Sequence, residues 1–252
     1  MSTLYSALVN GLIIAGFTGL GSMVAFAGFK LPKWGLDFSM SFAAGVMLVA
    51  CFTSLIIPGF ERGFYFDVGV GIAVGVIVMV SMDLVIPHEH LATGYEGPEY
   101  MRRKLRKAIL LALAVAIHNV PEGLAVGVST VYSERLGFAT ALAIGLQDIP
   151  EGAAVALPLA ILWSSRLKGF TTGVLSGLVE TVMALIGALV FTVAGGLLGL
   201  GMGFSAGAMM YIVVEEILPE VLHESSTYRK ISAAGFFLGF YVMLYLDLLL
   251  GD

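Results

Sequence analysis

The chain has 252 residues, 58% of them hydrophobic and only 12% charged, with a mean hydropathy of +0.96. A soluble globular domain carries about a quarter charged residues, so this composition excludes one and indicates a polytopic membrane protein, with no nucleic-acid partner expected. The net charge of −5 sits mostly in a few short loops, and the single cysteine, Cys51, lies in an apolar run, which excludes a disulfide framework.

The N-terminal run MSTLYSALVNGLIIAGF has no basic n-region and no small-residue cleavage site. It reads as a first spanning helix and not as a removed signal. A span needs about 20 apolar residues. Eight segments meet that need, over residues 4–29, 36–60, 67–87, 105–132, 135–163, 169–193, 197–219 and 231–250. The longest connection, 88–104, contains TGYEGPEYMRRK, shows no periodicity and reads as a loop. No soluble domain fits elsewhere, so residues 1–252 are expected to form one transmembrane domain.

The first, third, fifth and seventh loops hold eleven of the thirteen Lys and Arg residues, and the even loops hold only Arg62 and Arg135. The positive-inside rule then places the odd loops in the cytoplasm and both termini outside. The expected location is the cell (inner or plasma) membrane, crossed many times.

The chain also repeats. FAAGVMLVACFTSLIIP from Phe42 matches FSAGAMMYIVVEEILP from Phe204, with F-x-AG-x-M shared at an offset of 162 residues. MDL at Met82–Leu84 likewise matches LDL at Leu246–Leu248. Helices one to three therefore correspond to helices six to eight. An odd displacement of five helices makes the triplets face opposite ways, the inverted-repeat plan of many secondary transporters. The expected fold is an all-α integral membrane protein with eight transmembrane helices in a 3+2+3 inverted-repeat bundle.

Between the triplets, HNVPEG (118–123) and QDIPEG (147–152) lie inside apolar runs. His118 and Glu122 share a face at i,i+4, as do Gln147 and Glu151, with Asn119 and Asp148 three residues from the same glutamates. Pro121 and Pro150 deprive the carbonyls of Ile117 and Leu146 of their helical donors. Such breaks persist in a membrane where neighbours or a cavity satisfy the backbone. Gly123 and Gly152 then permit close helix approach.

His118 lies about 13 residues from its cytoplasmic end and Gln147 about 12 from its outer end, so at 1.5 Å per residue both sit near mid-membrane. Glu180 in the sixth helix and Met47 in the second lie at similar depth. Each acid at the membrane centre costs about 2.5–3.5 kcal/mol if left bare, and no embedded Lys or Arg is available for Glu122, Asp148, Glu151 or Glu180. Protons, water or bound cations must compensate. One imidazole with several carboxylate and amide oxygens is a ligand set for Zn²⁺, and also for Fe²⁺, Mn²⁺, Co²⁺ or Cd²⁺. Glu122 and Glu151 hold equivalent places and could bridge two ions. Met47 adds a soft thioether.

The paired motifs, followed by a glutamate in the next helix, resemble those of the ZIP (ZRT/IRT-like) divalent-metal transporters, most closely the prokaryotic GufA-like branch. The resemblance covers nearly the whole chain. It implies a binuclear site on His118, Asn119, Glu122, Gln147, Asp148, Glu151, Glu180 and Met47. It also implies transport of metal into the cytoplasm, no cofactor beyond the transported ions (Zn²⁺, Cd²⁺), and a homodimer in the lipid bilayer. This chain departs from many members in having only His88 and His90 in its third loop, where others are His-rich. It also has Gln147 where many eukaryotic members have His.

Asp83, His88, His90, Glu216, Glu220 and His223 fall on the cytoplasmic side by the charge rule and form a candidate exit path for the ions. Two rival classes fit less well. The metalloprotease pattern H-E-x-x-H is not matched by HEH at 88–90, and a catalytic zinc site takes two or three His or an equivalent set, whereas one lies deep here. An organic-anion carrier would want a mid-depth cation where this chain has carboxylates.

Overall fold

The computed structural model describes residues 2–27, 32–89, 95–96, 107–222 and 226–250. Among them are eight helical spans: α1 (Thr3–Ala27), α2 (Trp34–Glu61), α3 (Tyr65–Val85), α4 (Lys107–Tyr132), α5 (Glu134–Leu162), α6 (Arg166–Val193), α7 (Gly195–Leu222) and α8 (Ser226–Leu250). Seven are long and apolar enough to cross a membrane. α4, which carries HNVPEG, has 26 residues, about 39 Å of helix at 1.5 Å per residue. The protein is therefore an all-α membrane protein, and each span falls within a few residues of its expected place. One local difference lies in the third loop, where His88 pairs with Glu96 and Glu89 with Tyr95 as two antiparallel two-residue strands, β1 and β2.

The helices form two groups of four. α1, α4, α5 and α6 pack on one another, and α2 packs on α8 as α3 packs on α7. These pairings obey the inverted repeat. Exchanging α1 with α6, α2 with α7, α3 with α8 and α4 with α5 turns the α2–α8 contact into α7–α3, and the α1–α5 contact into α6–α4. Glycines make the close approaches. A Cβ at Gly71 or Gly75 on α3 would strike the α7 backbone at Leu200 and Phe204, while one at Gly235 or Gly239 on α8 would strike α2 at Phe38 and Phe42. Without a hydrophobic drive between helices in lipid, such backbone proximity supplies the packing energy.

The repeat extends to backbone irregularity. α2 widens to a π-helix over Cys51–Ile56 and α7 does so over Ile212–Ile217. Each ends two residues before a proline, Pro58 or Pro219. A proline ring clashes with the carbonyl four residues earlier in an α-helix, and a wider turn relieves that clash. π-turns of this kind recur at functional sites.

Among the described residues a large apolar cluster in the interior includes Ile14, Met47, Cys51, Leu55, Val126, Ile144, Met202 and Met209, with smaller ones around Val49 and Leu159. The outward surface is apolar too: Phe66, Ile77 and Leu84 on α3, Leu175 and Val182 on α6, and Tyr245 and Leu249 on α8 are all exposed. In a membrane that surface meets lipid.

Candidate metal centre

The two PEG motifs meet where α4 and α5 cross. Gly123 lets α4 approach the backbone of Glu180 on α6, and Gly152 lets α5 approach the backbone of Thr18 on α1. Thr18 and Glu180 are themselves 162 residues apart, the offset of the repeat. The glycines thus set the depth at which the polar side chains converge.

Glu122, Asp148 and Glu151 each offer a carboxylate oxygen within 4.8 Å of the others, and all three are buried. Gln147 Nε2 donates to Glu122 Oε1 at 2.7 Å, tying one motif to the other. Asn119 Nδ2 donates to the Ser176 carbonyl at 2.8 Å, which leaves its Oδ1 free to act as an acceptor. Thr18 Oγ1 lies 3.5 Å from Glu180 Oε2 as a donor. Asp148 and Glu180 stand side by side.

What remains is a surplus of acceptors. Asn119 Oδ1, Glu122 Oε2, Gln147 Oε1, both carboxylate oxygens of Asp148 and Glu180 Oε1 are buried without a donor. Each such group costs about 1–3 kcal/mol when left unsatisfied, and more when charged. Amide donors have been spent on fixing side chains so that oxygens, not N–H groups, face the centre. This donor set is compatible with a divalent cation site.

His118 stands one helical turn before Glu122, and its Nε2 contacts Glu216 on α7. The π-turn of α7 carries Glu216, which is 4% exposed although Glu215 beside it faces outward. A cavity of roughly 760 Å³, its mouth included, begins at His118 and Glu151. Its walls come from α2 (Leu36, Asp37, Met40), the N-terminal half of α4 (Ala114, Val115), the C-terminal half of α5 (Pro158, Leu159) and the end of α7 (Glu220, Val221). By the loop charges these are the halves expected to face the cytoplasm, and the cavity joins the site to that side. Toward the outer side Leu55, Ile56, Val126, Val128 and Ile144 close the interior as one apolar cluster.

The structure thus brings together Asn119, Glu122, Gln147, Asp148, Glu151 and Glu180, with His118 between them and the cavity. Met47 is fully buried in the apolar core near Cys51, one turn on. Glu216 and Glu220 are joined to the site by the His118 contact and the cavity. Asp83 is held elsewhere, accepting from the Tyr211 hydroxyl at 2.5 Å in a tie between α3 and α7. The backbone of His88 belongs to β1, and His90 and His223 lie outside the described residues. Sequence reasoning missed Asp37, which is 6% exposed on the cavity wall. Its signal was an acid inside the first turns of a spanning helix, which looks like an interfacial residue until the cavity is seen.

Comparison with known proteins agrees with this geometry. Residues 87–247 match the family model described as ZIP Zinc transporter. The chain is 35% identical to the zinc transporter ZIPB of Bordetella bronchiseptica, over 94% of this chain and 79% of the relative. It is 34% identical to the zinc transporter GufA of Myxococcus xanthus, over 98% and 99% of the two chains. With human zinc transporter ZIP11 it shares 31% identity over 99% of this chain and 98% of the relative. An α4–α5 crossing lined by donor-less oxygens, in a chain of this likeness, leaves one assignment: the protein belongs to the ZIP family of metal transporters.

Proposed function

We propose that the protein carries divalent transition-metal ions, Zn²⁺ foremost and Cd²⁺, Fe²⁺, Mn²⁺ and Co²⁺ besides, across the membrane toward the cytoplasm. The observation that supports this most is the cluster of Glu122, Asp148 and Glu151 with its surrounding donor-less oxygens, opening onto a cavity on the cytoplasmic side. Its relatives are named zinc transporters, and an enzymatic reading has no comparable support. Residues 1–252 act as one transport domain, and the working unit is a homodimer.

The mechanism is alternating access between the two four-helix groups. In an outward-open state a hydrated ion exchanges water for His118, Glu122 and Glu151, with the Met47 thioether as a further ligand. Asn119, Asp148 and Glu180 take a second ion, and Gln147 holds Glu122 in place while adding its own oxygen. Glu122 and Glu151 bridge the two ions. When the groups rock, the outer half closes and the cavity opens, so ions pass His118 and Glu216 toward Glu220. Asp83, His88, His90 and His223 complete the candidate path. Because ligands must be deprotonated to bind metal, protons compete with the cargo.

The test is Zn²⁺ and Cd²⁺ flux into proteoliposomes for wild type, Glu122→Ala and Glu151→Ala, with folding checked by gel filtration and thermal melting. Loss in both variants is expected. Unchanged flux in both folded variants refutes the site. Cross-linking and mass measurement in detergent test the dimer.

A further inference from the structure

Resting on the alternating-access reading above, we propose that Arg62 and Tyr132 form an outer latch that holds the protein in its cytoplasm-facing state and must open before the site faces outward. Arg62 sits in the turn between α2 and α3, in one four-helix group. Tyr132 is the last residue of α4, in the other. Arg62 Nη2 donates to the Tyr132 carbonyl at 2.7 Å, and the guanidinium carbon lies 3.9 Å from the centre of the Tyr132 ring. The carbonyls of a helix's last turn have no intrahelical donor, and a cation at that end meets the negative pole of the helix. One side chain thus caps α4 and stacks on its final ring.

The mounting is rigid. Gly63 N–H bonds the Phe60 carbonyl at 2.8 Å and Phe64 N–H bonds the Gly59 carbonyl at 3.0 Å, a Schellman closure with Gly63 at φ +81°. A side chain at 63 would strain that turn and swing Arg62 off its target. One level deeper a second bond crosses the same boundary: Ser129 Oγ donates to the Ser54 carbonyl at 3.2 Å. Pro58 offers no N–H to that carbonyl, so α4 supplies the donor. The charge pattern also asks for a reason. Positive residues are biased toward the cytoplasm, and Arg62 is one of only two on the outer loops. Topology does not call for it, whereas the latch does. The outer half cannot open while α4 is pinned to the α2–α3 turn.

The experiment reads accessibility, not transport alone. In a Cys51→Ser background, one reporter is placed in the outer seal (Val126→Cys) and another on the cavity wall (Val115→Cys). Labelling rates with a membrane-impermeant maleimide are measured from each side. Arg62→Ala removes both the hydrogen bond and the stack, and is expected to raise outer labelling at position 126 by about tenfold and to lower inner labelling at 115; Tyr132→Leu keeps the carbonyl and removes only the stack, and should shift both in the same sense by less. Tyr132→Phe keeps ring and carbonyl and should behave as wild type. Arg62→Lys loses the flat guanidinium and should fall between. Unchanged labelling at both reporters in folded Arg62→Ala and Tyr132→Leu proteins overturns the latch. Wild-type Zn²⁺ flux is measured in parallel. If labelling shifts as stated while wild type carries no metal, the latch stands and the transport reading falls.

Discussion

α2 and α7 share a backbone and differ in chemistry. Each has F-x-AG-x-M, then a π-turn, then a proline. The α2 turn, CFTSLI, points Leu55 into the apolar seal. The α7 turn, IVVEEI, points Glu216 at His118. A similar divergence separates α1 from α6, where Thr18 occupies the place of Glu180. The repeat supplies two matching scaffolds, and Glu180 and Glu216, the acids that reach Asp148 and His118, both stand in the second of them. On the alternating-access mechanism proposed above, the symmetric frame would open to either side, while these acids would favour holding and releasing cations on the cytoplasmic side.

The α4–α5 crossing is common to both halves, so changes there should do most damage. Glu122→Ala and Glu151→Ala should each lower Zn²⁺ flux about 100-fold or more, since each removes one carboxylate of the buried cluster that the proposed mechanism uses to bridge the ions. Retention of even a third of wild-type flux in either would mean the cargo bypasses the crossing. Glu216→Leu copies the α2 turn into α7 and should slow flux about tenfold while isothermal titration still finds metal bound at the centre. Equal loss of binding and flux would make Glu216 part of the central site and erase the distinction between the turns. Acid should act more mildly. Lowering both sides from pH 7.5 to pH 5 adds protons to carboxylates and imidazole, which must be bare to bind metal, so flux should drop several-fold at a fixed metal gradient.

Much of this was legible beforehand. Apolar run length gave the spans, because a lipid core admits helices of one length. F-x-AG-x-M gave the repeat because its Ala and Gly are steric requirements of close packing, and sterics leave the same letters wherever the same approach recurs. HNVPEG and QDIPEG pointed to the α4–α5 crossing because buried acids are costly, and the structure does bring Glu122, Asp148 and Glu151 together there. What could not be read is how side chains are shared out among partners. His118 finds Glu216 from 98 residues away, and only the π-turn turns Glu216 inward while Glu215 faces out. Asp83, on α3, accepts from the Tyr211 hydroxyl on α7, a partner 128 residues away that no spacing names. Asp37 looked interfacial because its cavity is built by four helices, none of which encodes it alone.

The smallest expected effect gives the finest test of the asymmetry. Thr18 donates to the Ile14 carbonyl at 3.0 Å and reaches Glu180 only at 3.5 Å. Its hydroxyl proton is therefore mainly committed to its own helix, and the hydrogen bond to Glu180 is weak at that distance. Thr18→Ala should change Zn²⁺ flux by about twofold or less, whereas Glu180→Ala removes an oxygen donor beside Asp148 and should cost well over tenfold. Comparable losses would mean that α1 contributes to the cargo site as α6 does. The two halves would then share the chemistry, and the preference for cytoplasmic release would have to come from the latch and the outer seal alone.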